Sequence, residues 1–164
     1  MRAFITVGLP GSGKSTFAGY LRKAEKAEEL NLDFFRFLLS GDPHNQEVSF
    51  PALKARDRRL RALAREGRDV ILSDTHAQGR TRRQTIRMLH ELGYFVSILF
   101  FNVGETTCLE RNARRERPVP EEVIHRMARQ IRGRPPSPAE AETLIVLEDP
   151  EDPLIRDETF LQLA

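Results

Sequence analysis

An α/β fold, a parallel sheet with helices on both faces, is the architecture predicted by this 164-residue sequence. Three observations carry the prediction. Short apolar runs alternate with segments of helical periodicity, the pattern of linked β–α–β units. A glycine-rich stretch, Gly8-Leu-Pro-Gly-Ser-Gly-Lys-Ser15, joins the first apolar run to the first helical segment. The most apolar run, residues 95–101, reads as a central strand buried on both faces.

Each element has its own local justification. The first strand is expected at about 3–7 and the first helix at about 14–24, with Phe17 and Leu21 starting its apolar stripe. A short strand near 29–32 precedes a small helix over 34–39, which stops at the turn cluster Ser40-Gly-Asp-Pro43. Pro51 opens a long amphipathic helix to about residue 65, with Leu53, Leu60, Leu63 and Ala64 as its buried stripe, and Gly67 ends it. A buried strand at 70–72 leads to a helix over 82–92 closed by Gly93. The central strand follows. Helices are expected at 105–116 and 120–132, and a last strand at 144–147. Arg134-Pro-Pro-Ser-Pro138 reads as a stiff connector, so residues 1–164 are expected to form one domain.

Composition narrows the functional classes. The single cysteine, Cys108, excludes a disulfide framework and a cysteine-type zinc site. No leader opens the chain and no apolar run approaches about 18 residues, so no membrane association and a cytoplasmic location are expected. Charge is uneven. Residues 54–134 carry a net +9, with Arg56, Arg58, Arg59, Arg61, Arg65, Arg68, Arg80, Arg82, Arg83 and Arg87 at their heart. Residues 135–164 carry −7. Such a basic block suits an anionic partner or a solvated arginine surface. Whether the acidic stretch 140–158 folds back on it is left open.

The glycine-rich stretch fits the template G-x-x-x-x-G-K-[ST] through Gly8, Gly13, Lys14 and Ser15. Its glycines let successive backbone N–H groups converge on one concavity, a nest for phosphate oxygens, and a helix N-terminus adds positive potential. Gly8, Gly11, Ser12, Gly13, Lys14, Ser15 and Thr16 are therefore the expected nucleotide-binding residues. Lys14 is expected on the β- and γ-phosphates and the Ser15 hydroxyl on Mg²⁺, with ATP or another nucleoside triphosphate as donor.

In a parallel sheet the reacting groups collect at the carboxyl ends of the strands. Asp33, just past the second strand, can accept a proton from an attacking hydroxyl; Arg36, one helical turn on, can hold an anion of the acceptor. An N-cap role is the competing reading of Asp33. Asp74 closes the strand at 70–72, where it is expected to order Mg²⁺, and Thr75 follows as an acceptor-side residue. The adjacent His76 is assigned no chemistry. Arg111, Arg114 and Arg115 fall at i, i+3 and i+4, expected on one helix face. The prolines that follow suggest a hinged helical lid at about 111–132 over the transferring phosphoryl group.

These segments together resemble the polynucleotide 5′-kinases, including the kinase domain of the bacteriophage end-healing enzyme. The resemblance covers about residues 3–132. It rests on residues 8–16, on Asp33-x-x-Arg36, on Ile71-Leu-Ser-Asp-Thr75, and on Glu110-Arg-Asn-Ala-Arg-Arg115 followed by Val119-Pro120. It implies a P-loop kinase fold with strand order 2-3-1-4-5. It implies Asp33 as general base on a 5′-hydroxyl and Arg36 on the phosphate 3′ to the terminal nucleotide. Arg115, supported by Arg111, is implied as the clamp on the donor phosphates. The segment before Val119 is about one residue shorter than in that family, and the D-x-D-x-T phosphatase motif is absent. The expected activity is an ATP-dependent, Mg²⁺-assisted kinase of the 5′-hydroxyl end of DNA or RNA. A small-molecule kinase of the same architecture and a nucleotide-gated switch are the alternatives.

Overall fold

The computed structural model describes residues 1–148. Its strands are β1 (Arg2–Val7), β2 (Glu28–Leu30), β3 (Val70–Leu72), β4 (Phe95–Phe101) and β5 (Thr143–Leu147). Its helices are α1 (Lys14–Glu25), α2 (Leu32–Ser40), α3 (Ser49–Arg65), α4 (Gly79–Glu91), α5 (Glu105–Ala113) and α6 (Glu121–Gly133). The five strands form one parallel sheet in the order β2-β3-β1-β4-β5, the order implied by the resemblance.

Alternation along each strand sorts side chains to the two faces. Ala3, Ile5, Val7, Val96 and Ile98 join Leu60 and Leu63 of α3 and Ile86 and Leu89 of α4 in one core. Phe4, Leu99 and Phe101 turn the other way and meet Phe17, Ala18 and Leu21 of α1. A third cluster joins the glycine-rich loop to α5 and α6: Leu9 and Ala77 pack with Cys108 of α5 and Ile124, Ala128 and Ile131 of α6. Burial on this scale stabilises by roughly 1.5–3 kcal/mol per large apolar side chain.

Several boundaries differ from expectation for local reasons. Helix α2 starts at Leu32, two residues early, because Asn31 caps it: its Oδ1 accepts the Asp33 N–H at 2.8 Å. Helix α4 starts at Gly79 rather than 82. Helix α5 ends at Ala113 rather than 116. There the buried Asn112 side chain donates to the Val119 carbonyl at 2.8 Å and accepts the Val119 N–H at 3.0 Å, folding the chain back. The inward face of α3 is Ala52, Arg56, Leu60 and Leu63, while Leu53 and Ala64 are half-buried. Arg56 displaces the expected stripe because its guanidinium reaches inward to Asp74 at 3.2 Å.

The basic block is likewise not one surface. Arg56 is buried, Arg59 pairs with Glu28 at 2.7 Å, and Arg82 is 0% exposed. Arg82 donates to both oxygens of Glu140 (2.8 and 2.9 Å), to the His76 carbonyl (3.2 Å) and to the Arg134 carbonyl (3.0 Å). The start of the acidic stretch therefore does fold back on α4; residues 149–164 lie outside the described residues.

The Arg82 network yields a stability prediction. Arg82→Leu leaves the Glu140 carboxylate buried and unpaired, together with two carbonyls that lose their donor. Urea denaturation followed by circular dichroism is expected to show a loss of about 3–5 kcal/mol. An unchanged midpoint would mean that the ion pair does not hold the fold.

Candidate active site

The donor loop is shaped by backbone geometry that side chains forbid. Gly11 has φ +88°, and a Cβ there would lie 2.5 Å from the Cys108 carbonyl oxygen. Gly13, at φ +90°, occupies the N-cap of α1. The Gly8 N–H donates to the Thr75 carbonyl at 3.1 Å, tying the loop to the segment after β3. Ser12 is buried, while the Ser15 and Thr16 side chains stand exposed in the first turn of α1.

Lys14 lies 7% exposed, with Nζ donating to the Leu9 carbonyl at 2.5 Å. Burial lowers its pKa to about 7 from the model-compound value of 10.5. The nearby Cys108 and Asp74 oppose that shift, and the positive charge of Arg115 adds to it. Arg115 is thus close enough to the loop for its field to act on Lys14.

Asp74 joins α2, α3 and β1. Its Oδ1 accepts the Leu32 N–H at 2.9 Å, its Oδ2 faces Arg56 at 3.2 Å, and its carbonyl accepts from Thr6 Oγ1 at 2.8 Å. Each carboxylate oxygen therefore has one protein partner and keeps capacity for water. Mg²⁺ retains several waters and takes one or two protein oxygens plus substrate phosphates. The exposed Ser15 hydroxyl and the Asp74 carboxylate fit such a site. Among the described residues no group of three or more His, Cys, Asp or Glu stands together, so the donor set suits phosphate-assisted binding and not a protein cage.

Asp33 and Arg36 stand together on α2. Asp33, 54% exposed, accepts from Arg36 Nη1 at 2.5 Å, and Arg36 Nε donates to Ser49 Oγ at 3.2 Å. The N-cap, the competing reading of Asp33, is Asn31 instead, which leaves the Asp33 carboxylate without a capping hydrogen bond. Arg36, 14% exposed, lines a cavity of about 730 Å³ with Asp74, Thr75, Phe50, Leu53, Met88, Met127 and other residues of α3, α4 and α6. Asp33 sits outside the cavity lining.

The lid arginines do not share one helix face as expected. Arg111 belongs to α5, Arg114 is its C-cap, and Arg115 lies in the following turn with its N–H on the Asn112 carbonyl at 3.1 Å. Arg114 and Arg115 are exposed and Arg111 is half-buried. The expectation fails because Asn112 ends the helix early.

Four residues that shape the site escaped the sequence reading: Asn31, Arg56, Asn112 and His76. Asn before a helix is a capping signal that could have marked position 31. Nothing in the spacing marks the others. His76 is buried at φ +40° with Nδ1 2.9 Å from the Thr6 carbonyl. A carbonyl only accepts, so Nδ1 carries the proton. Burial, more than any neighbour, lowers the His76 pKa and keeps the ring neutral.

Residues 4–134 match the AAA domain family. No curated protein sequence matches the chain. Among solved structures, a chain of the Pnkp1/Rnl/Hen1 RNA repair complex is 25% identical with a TM-score of 0.73, the match covering 80% of this chain and 44% of that one. This chain thus spans less than half the length of that relative. An unliganded sugar kinase from Janibacter sp. is 24% identical (TM-score 0.72, covering 99% of this chain and 93% of that one). A gluconokinase from Sinorhizobium meliloti 1021 is 18% identical (TM-score 0.65, 99% and 93%). Both share the P-loop kinase fold seen here.

Lys14 gives this site a defined pH behaviour. Between about pH 7 and 10.5 the unfolded chain holds the lysine proton and the folded chain has lost it, so the Lys14 contribution to stability rises with pH. Phosphate binding works in the opposite direction, because an anion favours the charged ammonium. Nucleoside triphosphate affinity is therefore expected to fall as pH rises above 7. Titration calorimetry at pH 8 in two buffers of different ionisation enthalpy is expected to show proton uptake on binding, absent in Lys14→Met. Equal proton exchange in both proteins would remove Lys14 from the donor site.

Proposed function

Taking as premise that this chain belongs to the AAA domain family, we propose that it is a polynucleotide 5′-hydroxyl kinase, moving the γ-phosphate of ATP or another nucleoside triphosphate to DNA or RNA. The observation that carries this reading is the Asp33–Arg36 pair past the carboxyl end of β2, with Arg36 braced by Ser49 at the wall of the cavity. A guanidinium held in place is a two-pronged receptor for a phosphate, and a carboxylate beside it is a proton acceptor.

In the free protein one partner satisfies the other. When a phosphate on the 3′ side of the terminal nucleotide engages Arg36, it competes for the fork that holds Asp33. The carboxylate is then released to take a proton from the 5′-hydroxyl. The hydroxyl oxygen bonds to the γ-phosphorus as the bond to the β–γ bridging oxygen breaks, and the nucleoside diphosphate departs. Asp33 carries the proton away. Lys14 and Arg115, with Arg111 and Arg114 in support, face the charge spread over the transferring group, where positioning and electrostatics supply most of the catalysis. Ser15 and Asp74 would hold Mg²⁺, which supplies neutralisation of the phosphate oxygens. Thr75, at the cavity wall, contacts the acceptor.

A small-molecule kinase is the second reading, favoured by the near end-to-end match with the two sugar-kinase folds. It shares the proton acceptor and differs in the acceptor anion.

Asp33→Asn keeps size and leaves the Asn31 cap intact, so thermal stability is expected to stay within about 1 kcal/mol. Transfer is expected to slow by roughly 10²–10⁴-fold. A melting shift with normal rate would make Asp33 structural. The acceptor class is tested with labelled ATP, Mg²⁺ and a pair of acceptors. A nucleoside 3′-phosphate is expected to be phosphorylated far better than the nucleoside. Arg36→Ala is expected to erase a preference worth about 1.5–3 kcal/mol. Equal turnover of the two acceptors would move the assignment to the small-molecule reading.

A further inference from the structure

Helix α3 divides its cations by phase. The inward ones are engaged: Arg56 with Asp57 and Asp74, Arg59 with Glu28 and Glu66. The outward ones are Lys54, Arg58, Arg61 and Arg65, all exposed. They fall at i, i+4, i+7 and i+11, within about 60° of the helix circumference. None of the four is paired with a carboxylate among the described residues. The two acids nearest the row, Asp57 and Glu66, already face Arg56 and Arg59. After Pro51 every exposed position of α3 is one of these four cations, with no acid among them. Here one face of α3 carries a row of a single sign about 16 Å long, at 1.5 Å per residue.

The row has a direction. At its head stands Phe50, one turn before Lys54 on the same face, with the Lys54 ammonium 4.5 Å from its ring centroid. Phe50 is 64% exposed and also lines the cavity that Arg36 enters. The row therefore begins beside the cavity, at Phe50, and continues along α3 to Arg65, beyond Asp57, the last residue of the helix in the cavity lining.

We infer that this face of α3 is the track for the acceptor strand beyond its reacting end: Lys54, Arg58, Arg61 and Arg65 hold successive phosphates, and Phe50 packs against an unpaired base where the strand enters. The inference rests on the polynucleotide reading of the site and extends it to the kind of acceptor, a strand several nucleotides long. Evenly spaced cations match a polyanion of regular repeat, and an exposed ring beside them stacks any base. A sugar or sugar acid that fills the cavity leaves the row untouched.

The test uses Arg58→Ser/Arg61→Ser, two exposed positions remote from the reacting groups, with Arg58→Lys/Arg61→Lys as the charge-conserving control. Binding of a 3′-fluorescein 12-mer with a 5′-hydroxyl is followed by anisotropy between 50 and 200 mM salt, beside kcat/KM for that 12-mer and for a nucleoside 3′-phosphate. The serine variant is expected to bind the 12-mer at least tenfold more weakly, with a salt slope shallower by about 1.4, two phosphates at about 0.7 each for a single strand. Its turnover of the nucleoside 3′-phosphate is expected to be unchanged, because that acceptor ends at Arg36. The lysine variant is expected to keep the salt slope of the parent, since counterion release depends on the charge that meets each phosphate and lysine supplies it as a point charge. Unchanged 12-mer affinity and slope in the serine variant would overturn the track while leaving the kinase reading intact. A parent protein that binds the 12-mer with this slope but phosphorylates neither acceptor would overturn the kinase reading and leave the track. A parent that does neither would overturn both.

Discussion

Asp74 is the residue through which helices α2 and α3 are tied to the end of β1. It accepts the first N–H of α2, it faces Arg56 of α3, and its own carbonyl accepts from Thr6 at the end of β1, just before the phosphate loop. Helix α2 carries Asp33 and Arg36, so a hydrogen bond at the helix start helps fix where they stand beyond β2. An arginine buried on the inward face of α3 has no favourable state without a carboxylate. Asp57 and Asp74 supply it together. The Asp74 carboxylate thus has a structural duty in addition to any part in ordering Mg²⁺.

A second attachment runs from the phosphate loop to α5 and α6. Gly11 approaches the Cys108 carbonyl so closely that no side chain fits between loop and α5. The apolar cluster of Leu9, Ala77, Cys108 and Ile124 continues that contact into α6. The turn that carries Arg115 follows directly from α5 and is fixed by Asn112. Its charge is felt at Lys14, where it adds to the effect of burial. Lys14 and Arg115 therefore share one electrostatic environment.

Much of the site was legible from the chain. Glycine, lysine and serine spacing in the phosphate loop is a matter of local backbone geometry, and Asp33 and Arg36, three apart on one helix, meet for the same reason. Thr75 and Asp74 follow from the rule that parallel strands present their carboxyl ends together. What was not legible concerns side chains whose partners are distant in sequence. Asn112 ends α5 by bonding a residue seven positions on, so the three lid arginines lose their common face. His76 adopts its left-handed conformation under the combined hold of Thr6 and Arg82.

Local physics is what the sequence determined by itself: the alternation of strands and helices, the phosphate loop, and the chemistry of the residues at the strand ends. Periodicity and glycine placement act over a few residues, so they can be read without knowing the fold. The tertiary structure decided which cations are structural and which face solvent. Arg56 and Arg58 are indistinguishable in sequence, yet one is buried on Asp74 and the other stands in an outward row. Arg82 reads as one more surface arginine until Glu140, far along the chain, closes over it. The deciding quantity is the rotation of each helix against the sheet. It is set by the whole set of packing contacts at once, which no short window of sequence contains.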